Sequence, residues 1–172
     1  DTLSLHDALP IYPSLVVADD SFVYYVDGAF SDSYGDIVRV RHDGTERTVL
    51  AIGFDPDGEP GDNIRTPTGL AVFDGMLYYA NANGVFSLSA DGDLPVVPDK
   101  LVNGNSLRVA VDGSGLYYFT TQGNVLVHAD LDGNAIDTVA QALVNHIALD
   151  GDAVYWTDNN DKNAGRLMKR AK

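Results

Sequence analysis

An adjacent pair of aromatic residues recurs four times along the chain, as Tyr24-Tyr25, Tyr78-Tyr79, Tyr117-Tyr118 and Tyr155-Trp156, at separations of 54, 39 and 38 residues. A period near 40 residues restricts a chain to repeat architectures and outranks any local signal. The flanks repeat as well. Seven residues before each pair stands Val17, Ala71, Ala110 or Ala148, and five before stands Asp19, Phe73, Asp112 or Asp150. After each of the first three pairs come a second short apolar run and then Asp-Gly, at Asp43-Gly44, Asp91-Gly92 and Asp132-Gly133.

Each unit therefore reads as four short strands. In the third they are expected at Arg108–Val111, Leu116–Thr120, Val125–Ala129 and Ile136–Gln141, separated by Gly, Asn and Asp as tight hairpin turns require. No unit has room for a crossover helix, which disfavours a parallel sheet. Composition agrees: of 25 acidic residues only Glu46 and Glu59 are Glu, and Asp favours turns where Glu favours helix interiors. The expectation is an all-β chain: a partial β-propeller of about four four-stranded antiparallel blades in an open arc. The units run approximately over 14–63, 64–105, 106–145 and 146–172, the last incomplete.

Three local expectations follow. The small residue at positions 71, 110 and 148 suits innermost strands that converge on an axis. The aromatic pairs sit on second strands, where one ring of each pair should fill the space between neighbouring sheets. A buried Tyr hydroxyl there needs a partner, which the many Asp and Asn residues can supply. The first unit is longer than the others because of two insertions, Gly28–Gly35 and Phe54–Asn63.

The fourth unit carries Tyr155-Trp156-Thr157-Asp158, and the first carries Ile37-x-Arg39 followed by Asp43-Gly44 and Arg47. These resemble the YWTD repeats of low-density-lipoprotein-receptor-type β-propellers and their bacterial relatives. The likeness spans Ser14–Lys172 and continues, with substitutions, in Tyr24-Tyr25-Val26-Asp27, Tyr78-Tyr79-Ala80-Asn81 and Tyr117-Tyr118-Phe119-Thr120. The resemblance implies that the motif is structural and that its Asp ties blades together, a role carried to Asp158, Asp27 and Asn81. Thr120 departs from the pattern. It also implies an exported protein: extracellular, periplasmic or lipid-anchored.

The ends of the chain differ from its body. Residues 1–11 lack strand alternation, and Thr2 to Ile11 match, codon for codon, a translated sequencing adapter. That segment is expected to be adapter-derived, leaving 12–172 as native sequence and removing His6 and Asp7 from any site. Without Asp1 and Asp7 the net charge of −14 becomes −12. At the other end, aligning Gly165–Lys172 with Gly35–His42 places the next Asp-Gly just past the last residue. The expectation is a chain that stops within a blade and belongs to a larger ring.

Functional signals are sparse. Strong acidity argues against nucleic acid, because phosphate binding needs Lys and Arg. No apolar run is long enough for a membrane span. Zero Cys excludes disulfides and thiolate metal sites. Asp55, Asp57, Glu59 and Asp62 form an acidic loop, but Gly61 and Thr66 fall where a calcium-hand loop needs other residues. Asp158–Asp161 fails the same test at Lys162. No nucleophile elbow, phosphate loop or His-rich metal spacing occurs, so no catalytic residue, metal or cofactor is assigned. His42 and His128 fall on or beside third strands and read as surface or packing residues. Arg166, Lys169 and Lys172 read as the water-facing side of an outer strand.

Arg108 and His146 occupy one repeat position, nine residues before their aromatic pairs, and Arg65 lies just upstream of the matching strand in the second unit. That position opens the innermost strand, at one mouth of a propeller channel, where concave ligand sites form. Arg65, Arg108 and His146 are the binding candidates. The favoured function is a protein- or glycan-binding or structural module. The alternative is a metal-dependent lactonase- or esterase-type propeller whose site lies partly in other blades.

Overall fold

In the computed structural model the described residues are 13–28, 35–53, 66–91, 95–159 and 165–172. Residues 1–11, most of both first-unit insertions, the acidic loop at Asp55–Asp62, and Arg65 lie outside them.

Every regular element among the described residues is a strand, and the strands fall into four antiparallel meanders. The first sheet is β1 (Pro13–Ala18), β2 (Phe22–Asp27), β3 (Asp36–Arg41) and β4 (Thr48–Ala51). The second is β5 (Gly69–Phe73), β6 (Met76–Asn81), β7 (Gly84–Ser89) and β8 (Asp99–Asn103). The third is β9 (Ser106–Asp112), β10 (Gly115–Thr120), β11 (Val125–Ala129) and β12 (Ala135–Gln141), within two residues of the expected strands. The fourth has β13 (Val144–Leu149), β14 (Ala153–Asp158) and β15 (Arg166–Ala171). The first strands of successive sheets lie side by side, β1 by β5, β5 by β9 and β9 by β13. The sheets are thus consecutive blades around one axis.

The second and third blades approach closely at Gly69. A Cβ there would meet Val109 N at 2.9 Å and Arg108 Cα at 3.0 Å, so only a residue without a side chain lets β5 and β9 come this near.

Successive residues of a strand point to opposite faces, and interior blades are covered on both. Leu77 to Asn81 are accordingly buried without a break. This changes the expected role of the aromatic pairs, because both rings of a pair fill inter-sheet space. The first ring faces the following blade: Tyr24 packs toward the second sheet, Tyr78 toward the third and Tyr117 toward the fourth. The second ring faces the preceding blade: Tyr79 packs with Leu50 and Ile37, Tyr118 with Val85 and Ala71, and Trp156 with Leu126 and Phe119. Tyr79 also stacks on Phe86, with centroids 5.0 Å apart and planes 7° from parallel. Each such ring contributes about 1.5–3 kcal/mol of burial. Tyr25 belongs to a separate cluster with Val38 and Val40 on the other face of the first sheet. The small residue seven places upstream lies directly across the ladder from the first ring, as Ala71 from Tyr78 and Ala110 from Tyr117.

The Asp five residues before the aromatic pair closes the first hairpin. Asp19 Oδ1 accepts the N–H groups of Ser21 and Phe22, and Asp150 Oδ1 those of Asp152 and Ala153. The second carboxylate oxygen takes the Tyr hydroxyl, from Tyr24 to Asp19 and from Tyr155 to Asp150, each at 2.7 Å. In the third blade Ser114 intervenes: its hydroxyl donates to Asp112 at 2.6 Å and lies 3.4 Å from Tyr117 Oη. The second blade has Phe73 in place of Asp and turns instead through Asp74 and Gly75, at φ 49° and 71°, the mirror-image turn that suits hairpin twist. The expected partner is missing for Tyr79, whose buried hydroxyl has no hydrogen bond because its surroundings are apolar.

Candidate functional site

Linkers enter the first strands of the blades at one end of the sheets. Arg108, the third residue of β9, extends its guanidinium over this ring of linkers. It donates to the carbonyls of Thr68, at 3.0 Å, and Leu107, at 2.7 Å, and also to the carbonyl of Asn145. Thr68 leads into β5 and Asn145 lies in β13, so one side chain from the third blade holds the second and the fourth. Its fork geometry suits several carbonyls at once. Arg108 is therefore engaged by backbone and not presented to solvent as a bare cation. His146 is exposed, with its backbone N–H donated to Thr157 Oγ1 at 3.1 Å. Arg65 lies outside the described residues, while Arg108 stands in β9 and His146 in β13, each the first strand of its blade.

The motif residues lie beside the same linkers. Asp158 Oδ1 accepts the N–H of Leu143, in the connection from the third blade to the fourth, at 3.3 Å. Thr120, the departure from the pattern, makes the matching tie with opposite polarity: its hydroxyl donates to the carbonyl of Asn105 at 3.0 Å. Asn81 is buried and its Oδ1 accepts the N–H of Asn83 at 2.8 Å. Asp27 forms an ion pair, 2.8 Å long, with Arg47 of its own blade, which also donates to Tyr25 Oη; the linker before β1 that it would tie lies outside the described residues.

A second constellation lies between the third and fourth blades, away from these linkers. The His128 ring stacks on Tyr117, with centroids 4.5 Å apart and planes 6° from parallel. Its Nε2 faces the Ser114 carbonyl at 3.0 Å, which calls for a proton on that nitrogen, and its Nδ1 lies 3.4 Å from Asp137 Oδ1. Asp137 also receives Arg170 of β15, which donates to the Thr138 carbonyl as well. Lys172 does not point to water as its register suggested. Its ammonium turns inward to the Asp112 carboxylate and the Asp150 carbonyl, because two first-hairpin turns converge there. Burial tends to raise the Asp112 carboxyl, but Lys172, the Ser114 hydroxyl and the Ser114 N–H outweigh it and hold it below the ordinary carboxylate value. His128 is a packing residue, as expected, and His42 is exposed in the turn after β3.

Tyr117, His128, Asp137, Arg170 and Lys172, with Ile136 and Val139, line a cleft of about 220 Å³. Small-molecule sites run to about 300–1,000 Å³, so this cleft suits one or two side chains better than a free ligand. Sequence reasoning missed it. Its signal was the charge pattern of β15, where Arg170 faces the neighbouring blade. Among the described residues no three of His, Asp and Glu converge as a metal site would require. No helix among them is long and apolar enough to cross a membrane.

No family model matches the chain, and no curated protein matches it. Solved structures do. A chain from the crystal structure of a nidogen/laminin complex is similar at 25% identity and a TM-score of 0.59, over 78% of this chain and 49% of that one. A gluconolactonase from Xanthomonas campestris is similar at 17% identity and a TM-score of 0.62, over 93% and 57%. A PQQ-bound aldose sugar dehydrogenase from Streptomyces coelicolor is similar at 16% identity and a TM-score of 0.55, over 86% and 57%. The chain thus spans about half the length of these three. The shared feature is the fold: four antiparallel sheets in an open arc, as in part of a β-propeller.

Proposed function

We propose that the chain is part of an exported, YWTD-like β-propeller that acts as a protein- or glycan-binding module. The observation that carries this reading is the use made of the motif. Asp158 and Thr120 hold the linkers that begin the third and fourth blades, and Trp156 fills the interface with the third, which is scaffold work. The likeness to a chain of a nidogen/laminin complex supports it, since that assembly is one of proteins bound to each other. On this reading His146, exposed beside Arg108, belongs to the binding surface.

The gluconolactonase supports a second reading, a metal-dependent hydrolase, through fold alone. One paired experiment separates them. The protein is applied to a glycan and protein array and, in parallel, assayed for lactone hydrolysis with and without added divalent metal. Saturable binding to a defined array member, weakened in His146→Ala and with no hydrolysis, supports the module. Metal-dependent turnover without array binding overturns it.

A further inference from the structure

We propose that the joint between the second and third blades receives a primary ammonium group, that of a lysine side chain on a bound protein, between the carboxylates of Asp74 and Asp132 and the hydroxyl of Tyr78. Both blades are interior to the arc. The joint lies where the first and third hairpins of each sheet turn, at the end opposite the linkers.

The neighbouring joints show what this place accepts. Between the first and second blades, Arg39 reaches the Ala90 carbonyl and the Asp91 carboxylate beside the Tyr24–Asp19 bond. Between the third and fourth, Lys172 reaches Asp112, which meets Tyr117 through the Ser114 hydroxyl. Each joint thus gathers the first ring of a pair, turn groups of two blades and a cation from the chain itself. The middle joint keeps the ring and the carboxylates and changes the cation. The residue across from the first ring is Arg39, His128 or Lys169 in the other blades, and Ser87 here. Leu131 follows His128 by three residues as Lys172 follows Lys169, so an apolar side chain stands at the repeat position of that ammonium.

Tyr78 points into the joint. It is 4% exposed and packs toward the third blade, and its hydroxyl has no hydrogen bond among the described residues. Burial, Asp132 and Asp74 raise the phenol above its ordinary value of 10.0, so it keeps its proton in the field of both carboxylates. The turn that carries Asp132 is seated on the second blade: a Cβ on Gly133 would meet Leu101 Cβ at 2.8 Å. Neither carboxylate has an ion pair among the described residues. A buried hydroxyl without a partner costs free energy, which a ligand that bonds it recovers.

The acceptors select the occupant. An ammonium carries three N–H donors and no acceptor, and two carboxylates and a phenol oxygen match them. A divalent cation such as calcium takes six to eight oxygens, and among the described residues no three of His, Asp and Glu converge. The joint lies at the other end of the sheets from the linkers that Arg108 holds, so it does not rest on the binding reading above.

The test is an amide NMR titration of the protein with Nα-acetyl-lysine methylamide at low salt. Saturable shifts are expected at Asp74, Gly75, Asp132 and Gly133. They should vanish when the ligand's ε-amine is acetylated and weaken about threefold in Asp132→Asn. Leu131→Lys supplies an ammonium from the chain and should abolish them. Leu131 is 37% exposed, so that variant should keep the dispersed spectrum of a folded protein. Equal shifts with the acetylated ligand, equal shifts at the turns of Asp20 and Asp152, or an unchanged response in Asp132→Asn or in folded Leu131→Lys overturns the proposal. So does saturation of these amides by calcium chloride or spermidine with none by the lysine derivative.

Discussion

Tyr24 and Asp19 are joined across the first hairpin: the phenol donates to Oδ2 at 2.7 Å while Oδ1 of the same carboxylate holds the turn. One residue thereby closes the local turn and orients a ring that lies in the interface with the next blade. Tyr24→Phe keeps the ring and removes the bond, at an expected cost of about 1 kcal/mol. Asp19→Ala removes the bond and leaves the turn N–H groups uncapped, so it should cost more than Tyr24→Phe. Urea denaturation of both variants and of the double variant measures this. Additive costs would show that turn and ring are not coupled.

The same carboxylates set the response to acid. Burial tends to raise Asp19, but the Ser21 N–H, the Tyr24 hydroxyl and the Phe22 N–H outweigh it and keep the carboxyl below its ordinary value of 3.8. Asp112 is lowered in the same way. A group lowered on folding stabilises above its unfolded value, and that stability is lost as pH falls through the folded one. The urea midpoint should be level down to about pH 5 and fall below about pH 4. Asp19→Asn should lose stability at neutral pH and fall less steeply in acid. An unchanged acid slope would assign the loss to other groups.

Trp156 is 5% exposed between the third and fourth blades. Trp156→Ala should cost about 3–5 kcal/mol, whereas Leu167→Ala on the open face should stay within about 0.5 kcal/mol. Thermal and urea unfolding of the pair give the contrast. A Trp156→Ala cost as small as that of Leu167→Ala would place the ring outside the interface.

Arg108→Ala should loosen the linkers without disturbing the outer strands. Losing charged hydrogen bonds to backbone costs about 2 kcal/mol, and amide exchange should quicken at the start of β5 and of β13 and not at β7 or β11. Arg108→Lys should recover only part of the protection, because an ammonium cannot fork between carbonyls. Uniform acceleration over all strands would mean global destabilisation instead.

Gly69→Ala tests how closely the inner strands approach. Its Cβ would lie 2.9 Å from Val109 N, so β5 and β9 must separate. The expected cost is about 1–3 kcal/mol, as for overpacking in a core. A neutral result in urea denaturation would show that the strands have room.

The blade pattern was legible because each of its signals is local. Aromatic pairs, upstream Asp and Asp-Gly turns recur at fixed offsets, and each acts within a few residues of itself. The use of Arg108 was not legible. Its partners are main-chain carbonyls of Thr68 and Asn145, which carry no side-chain signature and come together only when blades stack. Lys172 misled for a similar reason: register places it on an edge, but its partner Asp112 belongs to another blade. The bulges that aim Leu50 and Val139 outward depend on one extra residue in a strand, which an alternation pattern hides. The contacts of Tyr79, Tyr118 and Trp156 with the preceding blade were half visible. The pairs were evident, but not that interior sheets bury both faces.

Because one ring of an interior pair packs on the blade ahead in the chain and its neighbour packs on the blade behind, the arc has a direction. Its two ends are different surfaces, like the stud and socket of a building block. A blade moved to another interior place would carry both halves of the fit with it, provided its order in the chain runs the same way. Recombination between such repeats can therefore lengthen or shorten the array while conserving its joints, whereas a substitution at a single ring leaves its mark on one neighbour only.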